Sequence, residues 1–247
     1  MNSKNSYPEH SIQEYLKHKP AFFAFLRPLE VELFRRFLPL KKPVLDFGCG
    51  DGFFTKVAFA DQNIIDTGID VDSRVKLKAE KSGIYHNVVI FDGQTLPFPD
   101  HSFSTIISNC VLEHVVGLPF VLKEIHRVLK PNGVFLTSVV TDKWEKNLVG
   151  GKIFGNLYLN IFRKIQRHEN MFSEKQWQES FIEAGFDIRE SIPYLTPKQA
   201  YWVELMHYPS TISLLGKIIH MTGIFKKIKV DDKTPGEFFF YSLIKVS

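Results

Sequence analysis

The chain has 247 residues, 44% of them hydrophobic and 23% charged, with a formal charge of +4. That length carries one well-buried α/β domain with an embellishment or two small domains, and the balance excludes an intrinsically disordered chain. Two cysteines, Cys49 and Cys110, cannot build a disulfide framework. A mildly basic charge permits an anionic partner or surface without requiring one. No run reaches the roughly 18 apolar residues that span a bilayer, and MNSKNSYPEHSIQEY lacks a signal-type apolar core, so a cytoplasmic protein is expected.

In chain order, residues 11–38 read as helix. Ser11 is the candidate cap, Phe22, Phe25, Leu26, Leu29, Leu33 and Phe37 recur at helical steps, and Pro28 is expected to break the element in two. Strands and helices then alternate: strand 44–47, helix 52–60, strand 64–70, helix 73–82, and short strands 88–91 and 103–109. Helix 119–129 ends at the turn Lys130-Pro131-Asn132-Gly133, and strand 134–140 follows. Apolar strands without polar alternation, separated by helices, predict a parallel sheet covered on both faces. Residues 142–172 read as helical or irregular. Ser173 and Gln176 form a capping box that opens a helix ending near Gly185. A strand at 186–191, a helical insertion at 196–230 and a β-prone strand at 237–246 complete the chain.

The stretch VLDFGCGDGFF, residues 44–54, sets Gly48, Gly50 and Gly52 on alternate positions after an apolar strand. A Walker A loop needs Lys-Ser/Thr after its last glycine, whereas Phe53-Phe54 follows here. The dinucleotide fingerprint G-x-G-x-x-G/A would place bulky Phe53 where helix and strand must pack closely. Asp70 lies at the end of the second strand, about 20 residues on, where a carboxylate accepts from ribose hydroxyls. Asp46 and Asp51 flank the turn with no basic residue until Lys56. Such a charge pattern suits a cationic ligand better than a pyrophosphate.

The glycine turn, the acidic strand end, FDGQTLPF (91–98), FSTIISNCVLEHV (103–115) and LKEIHRVLKPNGVFLTSVV (122–140) together resemble the class I S-adenosylmethionine-dependent methyltransferases. The similarity is to the type 11 branch with the ubiquinone and menaquinone biosynthesis enzymes, and FSEKQWQESFIEAGF extends it to about residue 190. The resemblance implies a Rossmann-like α/β fold: a seven-stranded, mostly parallel sheet with an antiparallel last strand and helices on both faces. On this reading 1–40 is an N-terminal helical extension, 41–195 and 231–247 form the core, and 196–230 is a helical insertion or lid. It further implies that S-adenosylmethionine is held by the turn of Asp46, Gly48, Gly50 and Gly52, with Cys49 as a small packing residue inside it. Asp70 would bind the ribose, Val71 would pack on adenine, Asp92 with Gly93 would read the adenine edge, and Ser108 and Asn109 would floor the methionine part.

His114, in LEHV, and His168, in RHENMF, are the candidate bases or acceptor contacts; Glu113 is read as structural or water-bridging. No metal site is legible, since the histidines are dispersed and the cysteines lack paired spacing. In the insertion, Ile212, Leu215 and Ile219 share a helical face and Lys226, Lys227 and Lys229 crowd its end. A lid over the cofactor, a membrane-surface element within 205–229 and a dimer interface are the readings open there. The expected function is methyl transfer to a small apolar, aromatic or lipid-linked acceptor. A non-catalytic cofactor-binding partner subunit and an NAD-dependent oxidoreductase are the alternatives. No nucleic-acid partner is expected, because there is no dense basic stripe and Ser108-Asn109-Cys110-Val111 replaces an Asn-Pro-Pro-Tyr-like tetrapeptide. The oligomeric state is left open.

Overall fold

The structure, a computed structural model, describes residues 7–59, 61, 65–207 and 236–246. Seven strands form one sheet: β1 (Val44–Phe47), β2 (Ile65–Asp70), β3 (Tyr85–Ile90), β4 (Phe103–Asn109), β5 (Leu129–Val140), β6 (Phe186–Tyr194) and β7 (Phe238–Lys245). Their order is β3-β2-β1-β4-β5-β7-β6. Strands β1 to β5 pair in parallel, and β7 lies antiparallel between β5 and β6. β1 pairs with β2 on one side and β4 on the other, so strand order reverses there. Open α/β sheets bind ligands in that crevice, beyond the carboxyl ends of the strands.

The helices form for local reasons. In α4 (Ser73–Ser82) the Asp72 side chain accepts from Arg74 N–H, and left-handed Gly83 closes the far end. Buried Val121, Leu122, Ile125 and Val128 put one stripe of α5 (Leu118–Val128) against the sheet. The expected capping box of Ser173 and Gln176 starts α8 (Glu174–Glu183) with both reciprocal bonds made.

Three expectations shift. The N-terminal helical stretch divides into α1 (Tyr7–His18) and α2 (Phe23–Arg35), with the break at Lys19-Pro20, not at Pro28. Proline restricts the residue before it away from the helical region, which ends α1; Pro28 is buried within α2, and the helix runs through it. Ser11 is not a cap but a buried residue inside α1. The turn at 130–133 is present as an irregularity in β5, where Leu129 faces Phe103 and Val134 faces Thr105.

Side-chain alternation along β4 and β5 divides the core. Ile107 and Leu136 join Phe34 of α2, Phe59 of α3 (Phe53–Phe59) and Phe240 on one face, where Phe34 meets Phe240 edge-on at 5.0 Å. Ile106 and Phe135 join α5 and α8 on the other. The first face also carries α6 (Asp142–Asn147), α7 (Val149–Gln166) and α9 (Pro197–His207). Glu204 of α9 ties these together, its carboxylate accepting from the N–H of Val149 at 2.7 Å and Gly150 at 2.9 Å. Positions 208–230 of the insertion, including Ile212, Leu215 and Ile219, lie outside the described residues.

Candidate active site

The chain leaves β1 into the glycine turn with Gly48 at φ +77° and Gly50 at φ +51°. These left-handed conformations favour glycine. A Cβ on Gly48 would run into the side chain of Val111, so that position is closed by packing. A Cβ on Gly50 would meet nothing within 4 Å, so that position faces open space. The Gly48 and Cys49 N–H groups donate to the Ile69 carbonyl at 2.8 and 3.0 Å, and Gly50 N–H donates to Asp70 Oδ2 at 2.9 Å. Asp70 Oδ1 accepts from Asp72 N–H at 2.9 Å. One carboxylate therefore braces the turn, and two oxygens with about four acceptor sites leave room for ligand hydroxyls.

Asp46 is buried under the turn, accepting from Thr55 Oγ1 at 2.5 Å and Tyr85 OH at 2.6 Å. Burial pushes its carboxyl up to about 6, opposed by those two hydrogen bonds. Cys49 is buried, and burial pushes its thiol up, which suits a packing residue rather than a nucleophile. Val71 is 59% exposed, an apolar platform left open beside Gly93, whose added Cβ would sit 3.3 Å from it. Asp92 uses Oδ1 to hold the N–H groups of Gln94 and Thr95 at 2.8 and 3.1 Å.

A cavity of about 190 Å³ opens over the turn, lined by Asp46, Gly48, Cys49, Gly50, Asp51 and Asn109 below. Its other walls are Tyr15, Lys19, Phe23, Arg27, Phe53, Phe54 and Thr55. Asn109 reaches it and accepts from Ser138 Oγ at 2.6 Å. Ser108 does not line it: alternation turns its fully buried side chain to the face of Ile106. Lys19 and Arg27 correct the picture of an acid-only site. Lys19 pairs with Asp51, and Arg27 donates to buried Glu30 at 2.6 Å. A charged residue within the apolar stretch 22–34, with a carboxylate three positions on, is the signal that could have marked Arg27 in the sequence.

A second cavity, also about 190 Å³, adjoins the first and shares Phe23 and Arg27 with it. Phe22, Trp144, Tyr158, Phe162 and Phe238 make it aromatic, and Glu113, His114 and His168 lie in its wall. The two histidines, 54 positions apart, stand with ring centres 4.9 Å apart. Asn170 brings them together by donating to the carbonyls of Leu112 at 2.9 Å and Val115 at 2.7 Å. The Glu113 carbonyl accepts from the N–H groups of Glu169 and Asn170 at 2.8 and 2.9 Å. His114 Nδ1 lies 3.1 Å from the Arg167 carbonyl, which only accepts, so Nδ1 carries the proton and Nε2 keeps a lone pair. Loss of solvent lowers the proton affinity of His114, and it pushes His168 down to about 4 with help from its neighbour's charge. Glu113 is fully buried with neither carboxylate oxygen hydrogen-bonded, and burial raises it to about 8.

The methyltransferase domain family matches residues 45–137. An uncharacterized protein of Methanocaldococcus jannaschii is 30% identical over 157 residues, covering 64% of this chain and 70% of that one. A malonyl-[acyl-carrier protein] O-methyltransferase of Erwinia pyrifoliae is 33% identical over 99 residues, 40% of this chain but only 37% of its own length. The crystal structure of an S-adenosylmethionine-dependent methyltransferase from Thermotoga maritima superposes with a TM-score of 0.63 at 19% identity, covering 96% of this chain and all of that one, and so shares the fold. The sheet order and the glycine turn at its switch point define the class I methyltransferase fold, and the chain belongs to the S-adenosylmethionine-dependent methyltransferase family, type 11 branch. Its cofactor is S-adenosylmethionine. The donor set fits that molecule. Glycine backbone and carboxylates suit the sulfonium, ammonium and ribose, Arg27 and Lys19 suit the single carboxylate, and Val71 offers a face for a base.

Proposed function

We propose that this protein transfers a methyl group to a small apolar, aromatic or lipid-linked acceptor held in the aromatic cavity. One observation carries the reading: the cavity over the glycine turn and the aromatic cavity share Phe23 and Arg27, so donor and acceptor would meet across one wall. When bound, the cofactor supplies an electrophilic methyl on a positively charged sulfur. The chain's part is then mostly alignment. An attacking atom held in line at about 3 Å gains much of the rate from positioning alone. Asp70, Gly48, Gly50 and Asn109 fix the donor side, Val71 and Asp92 with Gly93 the adenosine end, and the phenyl rings exclude water from the acceptor side.

An acceptor that arrives as a hydroxyl or ammonium must lose a proton. His114 Nε2 is the group assigned to take it, since Nδ1 is committed to the Arg167 carbonyl and the ring is neutral near pH 7. His168, beside it, is a contact for the acceptor. Calorimetry with S-adenosylmethionine, S-adenosylhomocysteine and NAD tests the donor half. A screen of methyl-donor consumption across quinols, phenols, amines, lipids and sugars tests the acceptor half. Binding of NAD with no response to the sulfur compounds would overturn the reading.

A further inference from the structure

Among the described residues no helix is long and apolar enough to cross a membrane. Helix α7 nevertheless leaves an apolar surface open to solvent. Ile153, Phe154, Leu157, Ile161 and Ile165 are each between 53% and 72% exposed. Gly155, at φ 61° and ψ −147°, interrupts the helix, and past it Leu157, Ile161 and Ile165 stand in one row four residues apart. The adjacent row, Tyr158, Phe162 and Gln166, lines the aromatic cavity. One helix thus presents an apolar row to the cavity and another to solvent.

Its charge has one sign. Between Val149 and Gln166 there is no Asp or Glu, while Lys152, Arg163 and Lys164 are basic and Arg167 follows. Glu145 of α6 neutralises Arg163, which leaves Lys164, three positions past Ile161, beside the exposed row. Lys152, which donates to Asn147 Oδ1 at 3.4 Å, lies before the interruption, and Arg167 stands at the helix end. Exposed apolar residues flanked by lysine and arginine match an anionic bilayer surface, where the side chains enter the acyl boundary and the cations meet headgroups. A two-fold contact between copies through the same face would instead bring these cations together with no carboxylate on the helix to pair them.

We propose that α7 is a membrane-docking helix that seats the protein on anionic lipid surfaces, with its solvent-facing row inserted and its cavity-lining row directed inward. This surface is separate from the 205–229 segment, whose positions from 208 onward lie outside the described residues. The proposal concerns adsorption and is read without turnover, so it stands or falls apart from the choice of methyl acceptor.

Co-sedimentation of the full chain with vesicles of phosphatidylcholine, alone or mixed with phosphatidylglycerol, tests it. Wild type should partition onto the anionic vesicles and little onto the zwitterionic ones. Leu157→Ser combined with Ile161→Ser should lower anionic partition about 10-fold, because two large side chains are lost from the inserted face. Lys152→Gln combined with Lys164→Gln should lower it by a similar factor and remove most of its salt dependence. Melting temperature and S-adenosylhomocysteine affinity, unchanged in both variants, establish that the fold is intact. Absence of binding by wild type, or full binding by the folded Leu157/Ile161 variant, overturns the proposal. So does a dimer in light scattering that the Leu157/Ile161 variant dissolves while vesicles fail to bind, which would identify a second copy as the occupant.

Discussion

The N–H of Gly50 donates to Oδ2 of Asp70 at 2.9 Å, joining the carboxyl ends of β1 and β2. The same carboxylate therefore shapes the turn after β1 and, through Asp72 N–H at 2.9 Å, the chain after β2. Asp70→Ala is expected to weaken S-adenosylhomocysteine binding by about 1–3 kcal/mol, since it removes the brace of the turn together with the hydrogen bonds proposed for the ribose. Calorimetry measures it; unchanged affinity would remove Asp70 from the site.

Gly50 and Gly48 should respond differently to substitution. The open space at Gly50 predicts that Gly50→Val remains folded, at the cost of a strained left-handed residue, and loses cofactor binding. At Gly48 the same change drives into Val111 and should lower the melting temperature as well. Circular dichroism melts paired with binding titrations separate the two. A Gly50→Val protein with native affinity would show that the turn is only structural.

Much of this was legible before the fold. The turn at 48–52 and its partner Asp70 are fixed by strand–turn–helix periodicity, which is local. The capping box at Ser173 is local too. The roof of the donor cavity is not: Tyr15, Lys19, Phe23 and Arg27 come from α1, α2 and the link between them, and the docking direction of an apolar helix is decided by what it packs on. The same reason separates Ser108 from Asn109. Both sit at the end of β4, and the pleat sends only Asn109 into the cavity. The convergence of His114 and His168 depends on the Asn170 clamp, which no spacing announces.

Glu113 makes a stability prediction with a definite sign. Its folded proton affinity is raised from 4.5 to about 8, so the stabilisation from keeping it protonated is complete below pH 4.5 and is lost as pH rises through about 8. Glu113→Gln keeps the shape without the titration. It should match wild type near pH 4.5 and exceed it at pH 8 by on the order of a few kcal/mol. Denaturant melts at the two pH values test this; parallel curves would mean that Glu113 is solvated or paired in the fold.

His168 works in the opposite direction. Its folded value is lowered from 6.5 to about 4, so the unfolded chain takes up the proton first as pH falls. Stability is therefore lost between about pH 6.5 and 4, by at most about 3 kcal/mol for this group. His168→Asn should flatten that acid limb without changing stability at pH 8. The ring carbon and proton shifts of His168, followed by NMR from pH 7 to 4, report its titration directly.

Asn170 is the remaining test, because it touches neither cavity and acts through the histidines. Its side-chain amide donates to the carbonyls of Leu112 and Val115, on either side of the Glu113-His114 pair, and holds the chain after His168 against them. Asn170→Ala removes two hydrogen bonds to half-buried carbonyls and should cost about 1–2 kcal/mol of stability. The donor cavity receives nothing from this clamp, so S-adenosylhomocysteine affinity should not move. The distance between the two rings should grow, and with it the acid shift of His168 should relax toward its ordinary value. A merely structural role predicts the loss of stability alone. Only a positioning role also predicts that His168 titrates higher while cofactor affinity holds, and an unmoved His168 titration in the folded variant would rule that role out.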